Sequence, residues 1–169
     1  SEIWASTPKR GGRLVCAGDQ HGPADTLDPI LCTASVDYWR GRMFYGKLVR
    51  LKADLSWEPE LAEEVLVNAD ATKWTFKIRK GVEFHNGHTL NADDVIYTLS
   101  RHLGPDTKSI GKSQMDMVKD LKKINEHEVE VNLETPNADL VNSLGTFHFN
   151  VLQDGTEDFS TANGTGPYR

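Results

Sequence analysis

The stretch that decides the fold is WTFKIRKGVEFHNGHTLNADDVIYTLSR, residues 74–101. Its opening alternates apolar and polar residues with a period of two, which predicts a half-buried strand. Gly81 interrupts this alternation, and residues 82–84 resume it as a short second strand. Asn86 and Gly87 then predict a tight turn, because both residue types tolerate a positive φ.

The second half of the stretch predicts a helix with a capped N-terminus. Asn91 is a good N-cap, and Asp93 and Asp94 follow in the first turn, where carboxylates favour the positive end of the helix dipole. This position makes capping a better interpretation of the two carboxylates than acid/base catalysis. One face of the helix should be buried, because apolar residues recur at helical spacing: Val95, Ile96, Leu99 and Leu103.

Working outward, the remaining sequence predicts an α+β fold with a mixed sheet and flanking helices. Because helices separate the two clearest strands, part of the strand pairing should be non-local. The other expected elements are, in chain order, a loose end at 1–10, a strand at 13–17, a loop at 18–29, a helix from 35 to about Gly46, a helical turn after 58 leading to a strand at 64–68, a polar loop at 104–113, a helix at 115–123, a strand at 128–133, a helix at 136–144, an extended segment at 147–152 and a loop at 155–166.

Composition is that of a globular protein of one domain. The chain has 169 residues, of which 38% are hydrophobic and 26% charged, and a net charge of −6. The one basic cluster, Lys119 with Lys122 and Lys123, is too small for a nucleic-acid footprint, so we expect no nucleic-acid partner. No run is long enough to span a membrane, and residues 1–10 lack the apolar core of a signal peptide, as in a mature or trimmed chain.

Motifs of catalysis and metal binding are weak. His85-x-x-His88 has the spacing of a metal pair, but no further ligand type stands nearby at suitable spacing, so we expect no metal. Gly111-Lys112-Ser113 is similar to the end of a phosphate loop, yet position 106 is Asp where that motif needs Gly. No nucleophile elbow is present. The sequence predicts neither an enzyme nor a cofactor.

Two interpretations stay open for the cysteines, Cys16 and Cys32. They could form a disulfide in an oxidising compartment, since sequence alone does not fix their separation. They could equally be two small buried apolar side chains, the commoner fate of a free cysteine.

The segment from Trp74 to Val95 resembles the hallmark of the family 5 extracellular solute-binding proteins, the dipeptide, oligopeptide and nickel receptors of bacterial ABC importers. Further similar stretches follow the family's order: GGRL at 11–14, TLDP at 26–29, PELAE at 59–63 and GTGPY at 164–168. The resemblance covers nearly the whole chain. It implies the N-terminal lobe portion of a two-lobe periplasmic binding protein, with residues 11–50 carrying the first strand, cleft loop and helix, residues 51–169 forming a subdomain, and the second lobe absent.

The resemblance also implies where a ligand cleft should lie. The candidates are the TLDP loop, the helix that follows it, the polar loop after 104, and a histidine expected to point away from its aromatic neighbours in an extended segment. They are Thr26, Leu27, Asp28, Tyr38, Trp39, Lys108 and His148. For the aromatic residues among them, packing in the core is the alternative.

The expected function is that of the substrate-binding component of an ABC importer, which captures a peptide or other small polar solute outside the cytoplasmic membrane. The protein would be periplasmic, or exported and membrane-associated, and its partners would be the ligand and the importer's membrane subunits. The alternative is a stand-alone structural or partner-binding module. In either case an exposed apolar face would favour self-association, with five aromatic residues as candidates: Trp39, Phe44, Tyr45, Phe147 and Phe149.

Overall fold

The computed structural model describes residues 15, 18 and 22–169. The expected loose end at 1–10, the strand at 13–17 and the pairing of Cys16 rest on residues outside that part of the chain. Its helices and strands are α1 (Ser35–Phe44), β1 (Val49–Leu51), β2 (Trp57–Pro59), β3 (Ala62–Val67), β4 (Lys73–Ile78), α2 (Ala92–Ser100), β5 (Val118–Asn125), β6 (Glu128–Leu133) and α3 (Leu140–Leu144). Three short 3-10 helices lie at Pro29–Leu31, Lys112–Gln114 and Phe147–Phe149.

Strand β4 is at the centre of a four-stranded sheet with the order β3-β4-β6-β5. Phe76 pairs with Val65 on one side and Val129 on the other, so β4 is held by a near neighbour and by a strand about fifty residues away. The expected non-local pairing is confirmed. The α+β class is confirmed as well. The strand pairings among the described residues are antiparallel, so the structure combines antiparallel sheets with flanking helices.

The core lies on one face of this sheet. Trp74, Phe76 and Ile78 alternate inward along β4 as predicted and are 4%, 0% and 1% exposed. Helix α2 covers that face with Val95 and Leu99, both buried. The cluster is completed from the second half of the chain by α3 and the segment after it: Leu140, Val141, Leu144, Phe149 and Val151.

The predicted turn and cap of α2 are confirmed. Gly87 has a φ of 86° and its N–H donates to the carbonyl oxygen of Phe84 at 2.9 Å. Asn91 caps α2 by accepting from the Asp93 N–H at 2.7 Å, and Asp94 accepts from the Asn91 N–H at 2.8 Å in return. The short second strand is reduced to one bridge between Glu83 and Thr89, since the chain turns immediately afterwards.

The GTGPY segment returns to the end of α1. The N–H of Gly166 donates to the carbonyl of Phe44 at 2.9 Å, and that of Tyr168 donates to the carbonyl of Met43 at 3.1 Å. A Cβ at Gly164 would lie 2.0 Å from the Phe44 carbonyl oxygen, so only glycine permits this approach. Residues 44 and 166 are therefore side by side, although the whole sheet lies between them in sequence.

The prediction of a helix at 115–123 is wrong, because most of this segment is strand β5. Leu121 pairs with Val131 and Lys123 with Val129, which makes β5 the edge partner of β6. The residue types suit a helix, but backbone pairing with β6 determines the structure, and such pairing is invisible to local propensity.

Five further element types or boundaries differ from the sequence-based expectation. The segment after 58 holds strand β2 to Pro59 instead of a helical turn, and β3 begins at Ala62. Helix α1 ends at Phe44, before the expected glycine, and α3 begins at Leu140 after a turn that includes Asn137. The segment expected to be extended from 147 begins with a 3-10 helix, because Phe149 donates its N–H back to Thr146 at 3.3 Å.

We predict that Trp74→Ala lowers the free energy of unfolding by roughly 3–5 kcal/mol, as truncation of a large core side chain does. The indole is buried and its N–H also donates to the carbonyl of Asn137 at 3.1 Å. Trp39→Ala is the matched control, because Trp39 is 47% exposed and should cost less than about 1 kcal/mol. Urea denaturation of both variants tests the burial, and equal losses would contradict it.

Asp93 and Asp94 should differ sharply when each is replaced by alanine. Asp94 is fully buried and also accepts from the Asp154 N–H at 2.8 Å, so its loss strands two backbone donors and should cost roughly 3 kcal/mol. The Asp93 side chain is 48% exposed and pairs with Lys123, so Asp93→Ala should cost less than about 1 kcal/mol. Thermal and urea denaturation would reveal the difference, and equal effects would show that Asp94 serves only as a surface cap.

Candidate functional site

An open groove of about 390 Å³ runs along α1 and is here called the aromatic groove. Helix α1 forms one side, β1 contributes Leu51, and the turn after α3 forms the other side. Its lining is Tyr38, Trp39, Arg42, Lys47, Leu51, Gly145, Thr146 and Phe147.

Aromatic rings form one wall of this groove. The rings of Tyr38 and Phe147 pack with centroids 3.7 Å apart and an interplanar angle of 32°. The Tyr38 hydroxyl donates to the carbonyl of Thr33 at 3.0 Å, which fixes the ring on the loop before α1. Trp39 is 47% exposed and adds an open indole face. Such surfaces stack on flat or apolar parts of a ligand.

Cationic side chains form the other end of the groove. Arg42 and Lys47 line it, and they also line a second opening of about 600 Å³, here called the cationic groove, with Arg50, Glu60 and Thr165 among its residues. Lys47 is only 7% exposed. Burial lowers the pKa of its ammonium, Arg42 and Arg50 lower it further, and Glu60 opposes them.

Buried Asp37 holds the loop before α1 in place. Its carboxylate accepts from the backbone N–H groups of Thr26 at 3.1 Å, Thr33 at 3.4 Å and Ala34 at 3.2 Å. Arg40 lies 3.9 Å from the same carboxylate. The loop is thus fixed to the helix that carries Tyr38 and Trp39, which preorganises the aromatic wall.

A second carboxylate fixes the start of the same loop. Asp28 receives a two-pronged contact from Arg101, at 2.8 and 2.7 Å, which anchors the loop to the end of α2. The Cys32 thiol donates to the Asp28 carbonyl at 3.3 Å. Burial, helped by Asp37 and Asp28, raises the thiol pKa to about 12, so Cys32 is an unreactive buried group.

Two histidines lie beneath the site. His148 is buried, and its Nε2 lies 3.1 Å from the carbonyl oxygen of Cys32. Its side chain therefore packs against the loop before α1. The extended segment predicted here would instead have pointed it away from its neighbours. His102 is fully buried against Phe149, with ring centroids 4.3 Å apart. Its Nδ1 lies 2.6 Å from the Ser109 hydroxyl oxygen.

The predicted site residues fall in three places. Tyr38 and Trp39 lie together in the aromatic groove. Asp28 and Lys108 line a shallower opening of about 400 Å³ beside α2. Thr26, Leu27 and His148 lie outside the grooves and support the loop before α1. The carbonyl oxygen of Leu27, for example, accepts from the Tyr45 hydroxyl at 3.1 Å.

Sequence reasoning missed Arg42 and Lys47 and weighed Phe147 mainly as a core residue. One signal for Lys47 was available, because it is the only charged residue in the run from Phe44 to Val49. A charge inside an apolar run is either paired or functional.

The paired histidines of the turn make structural contacts. His85 Nε2 lies 2.9 Å from the carbonyl oxygen of Gly166, and His88 Nε2 lies 3.3 Å from Asp94. In the part of the chain that the structure describes, no group of three or more His, Cys, Asp or Glu residues is placed to hold a metal ion. No helix in that part has the length and apolar character needed to cross a membrane.

Comparison with known proteins gives a consistent result. The sequence model described as "Bacterial extracellular solute-binding proteins, family 5 Middle" matches residues 56–169. Oligopeptide-binding protein AppA of Bacillus subtilis is 27% identical over 98% of this chain and 32% of its own length. Glutathione-binding protein GsiB of Pectobacterium atrosepticum is 28% identical over 85% of this chain and 29% of its own length.

Solved structures agree with these relatives. The binding protein AgaA from A.tumefacien R10, in complex with agropinic acid, matches with a TM-score of 0.80 and 25% identity over 86% of this chain and 31% of that one. AppA in complex with a nonapeptide matches with a TM-score of 0.75 and 26% identity over 83% of this chain and 30% of that one. The chain therefore spans about a third of the length of the proteins it resembles.

We predict an acid-sensitive site scaffold because His102 is buried in its neutral form. Burial lowers its pKa from 6.5 to about 4, so the stability it confers is complete above about pH 6.5 and is lost as the pH falls towards 4. Between about pH 7 and pH 4.5 this histidine alone should cost roughly 2.5 kcal/mol. His102→Gln should remove that part of the pH dependence in urea titrations.

The control for this prediction is His127→Gln in the β5–β6 turn, which removes one histidine away from the site. Its urea titration shows what replacing a histidine elsewhere in the fold does to the pH dependence. If His102→Gln leaves the slope unchanged, His102 is not a buried neutral group.

Proposed function

Since this chain belongs to the bacterial extracellular solute-binding proteins of family 5, we propose that it is part of the substrate-binding component of an ABC importer. It captures a peptide or other small polar solute outside the cytoplasmic membrane and delivers it to the importer's membrane subunits. The protein acts in the periplasm, or exported and held at the membrane.

The observation that carries the proposal is the aromatic groove. It combines a rigid wall, Tyr38 stacked on Phe147, with an exposed indole and two cations. The loop that supports the wall is fixed by Asp37, so little ordering is needed when a ligand binds. The groove is open to solvent and offers a ligand one side only.

A second wall would complete such a site. Ligand pockets bury most of a ligand's surface, and two-lobe receptors achieve this by closing about a hinge. The relatives are about three times as long as this chain, which leaves ample polypeptide for a second lobe. We therefore propose that the aromatic groove is one wall of a cleft and that closure against the other lobe signals the loaded state to the importer.

The relatives support a polar ligand with at least one charged group. AppA was solved with a nonapeptide and AgaA with agropinic acid. By analogy, Arg42 and Lys47 would meet the charged part of the ligand of this protein and the aromatic wall its flat or apolar part.

The alternative, a stand-alone module that self-associates, has less support. Tyr45 and Phe149, two of the aromatic residues expected on an exposed face, are 5% and 2% exposed and belong to this chain's own core. Phe44 and Phe147 are half-buried, so Trp39 is the most exposed of the five. Self-association stays a prediction, which sedimentation over a wide concentration range would test.

We predict that Trp39→Ala weakens ligand binding at least about tenfold in the natural full-length protein, since buried aromatic anchors carry a large share of binding energy. Native mass spectrometry of the purified protein identifies the carried ligand, and calorimetry with that ligand measures the loss. Leu55→Ala, exposed in the β1–β2 turn, is the control and should bind normally. Normal binding by Trp39→Ala would place the ligand elsewhere.

A further inference from the structure

Lys47 differs from the other buried charged groups that the structure describes. Asp28 is paired with Arg101, Asp37 accepts from three backbone N–H groups, and Asp94 accepts from two. The ammonium of Lys47 has no hydrogen bond and no ion pair with any described residue, although only 7% of the residue is exposed.

The surroundings of Lys47 hold more positive than negative charge. Arg42 and Arg50 line the cationic groove with it. Arg50 has its own partner in Glu58 across the β1–β2 pair. Glu60 is the one carboxylate among the described lining residues of the two grooves, and it acts against the two arginines without forming an ion pair with Lys47.

An unpaired buried ammonium is unfavourable, because it loses most of its hydration on burial. Lysine usually avoids this cost by extending its flexible stem until the ammonium reaches water. Here the backbone on both sides is fixed: the Lys47 carbonyl accepts from the Leu61 N–H at 2.9 Å, and the Gly46 carbonyl accepts from the Val151 N–H at 2.8 Å. The cation is therefore held in the fold, and the carboxylate of Glu60 offsets its charge only in part.

A second observation also indicates a missing ligand group. Two oxygen atoms of the cationic groove, Oε2 of Glu60 and Oγ1 of Thr165, are buried and lack a hydrogen-bond partner among the described residues. Unsatisfied buried polar atoms are uncommon in native folds and need an explanation. Donors on a ligand, such as an ammonium or a hydroxyl group, would satisfy them.

We propose that Lys47, together with Arg42, binds a carboxylate group of the transported solute where the aromatic and cationic grooves meet. The inference rests on the proposed function and narrows it to acidic or zwitterionic solutes. The carboxylate contacts Lys47, a flat or apolar part of the solute lies along the wall of Tyr38 and Phe147, and a donor group contacts Glu60. Lys47 is thus a specificity-determining residue for the charge of the ligand.

The first experiment tests the carboxylate alone. The natural full-length protein is freed of carried ligand by unfolding and refolding, and its thermal unfolding is followed as sodium acetate replaces sodium chloride at constant ionic strength. Acetate should raise the midpoint in the unsubstituted protein, because a ligand that binds only the folded state stabilises it. The shift should vanish in Lys47→Met and persist in Lys47→Arg.

The matched control is Lys52→Met, which removes a lysine that is exposed in the β1–β2 turn. It should keep the full acetate shift. An equal shift in Lys47→Met would overturn the inference. So would the absence of any shift in the unsubstituted protein, since a carboxylate from polypeptide outside the described residues would then already occupy the position.

The second experiment separates this inference from the proposed function. Calorimetry compares the dipeptide Ala-Phe with its C-terminal amide, which differs only in lacking the carboxylate charge. The acid should bind at least about tenfold more tightly, and Lys47→Met should abolish the preference while Lys52→Met retains it. A preference unchanged in Lys47→Met overturns the inference and leaves the proposed function intact. An acetate shift that depends on Lys47, without binding of either dipeptide, supports the carboxylate site and counts against peptides as the ligand.

Discussion

The fold depends on one strand that must be paired on one side by its neighbour in sequence and on the other side by a distant part of the chain. Strand β4 contributes Trp74, Phe76 and Ile78 to the core, and these side chains are sheltered only when β3, β6 and α2 are all in place. Because β6 follows β4 after about fifty residues, the sheet cannot form until that intervening chain has been ordered. The entropic cost of closing this loop is offset by the free energy of burying apolar surface on α2 and α3. The site on α1 inherits its rigidity from this core through Asp28 and Arg101, which connect its loop to α2.

The sequence predicted most reliably those elements whose signals are local. The alternation of β4, the turn at Gly87 and the cap at Asn91 each depend on a few neighbouring residues, and all three were confirmed. Strand β5 was missed because its residues suit a helix and only pairing with β6 makes them a strand. The same reason explains the 3-10 helix at Phe147–Phe149, whose conformation follows from packing beneath the loop of Cys32.

The residues of the candidate site also differ in whether a local sequence pattern or a tertiary contact places them there. Tyr38 and Trp39 were predicted because they lie on a helix next to a recognisable loop, and both line the aromatic groove. The local pattern marked Lys47 only as a charge inside an apolar run and did not predict its burial, which arises from contacts with Leu61 and with the segment around Val151. What distinguishes Lys47 is a comparison over the whole molecule: the buried carboxylates Asp28, Asp37 and Asp94 all have partners, and this ammonium has none among the described residues.

The close approach of Gly164 and Gly166 to Phe44 has a consequence for how such a protein can be assembled and altered. Residues 45–163 form a unit whose entrance and exit lie next to each other, joined by backbone hydrogen bonds between Met43, Phe44 and the GTGPY segment. A unit with adjacent ends can be inserted into a host domain, exchanged between hosts or removed from one with little disturbance of the host's geometry. The end of α1 and the GTGPY segment would form the connection to the host, and the parts of the unit's surface away from α1 and its preceding loop could then vary without disturbing that connection.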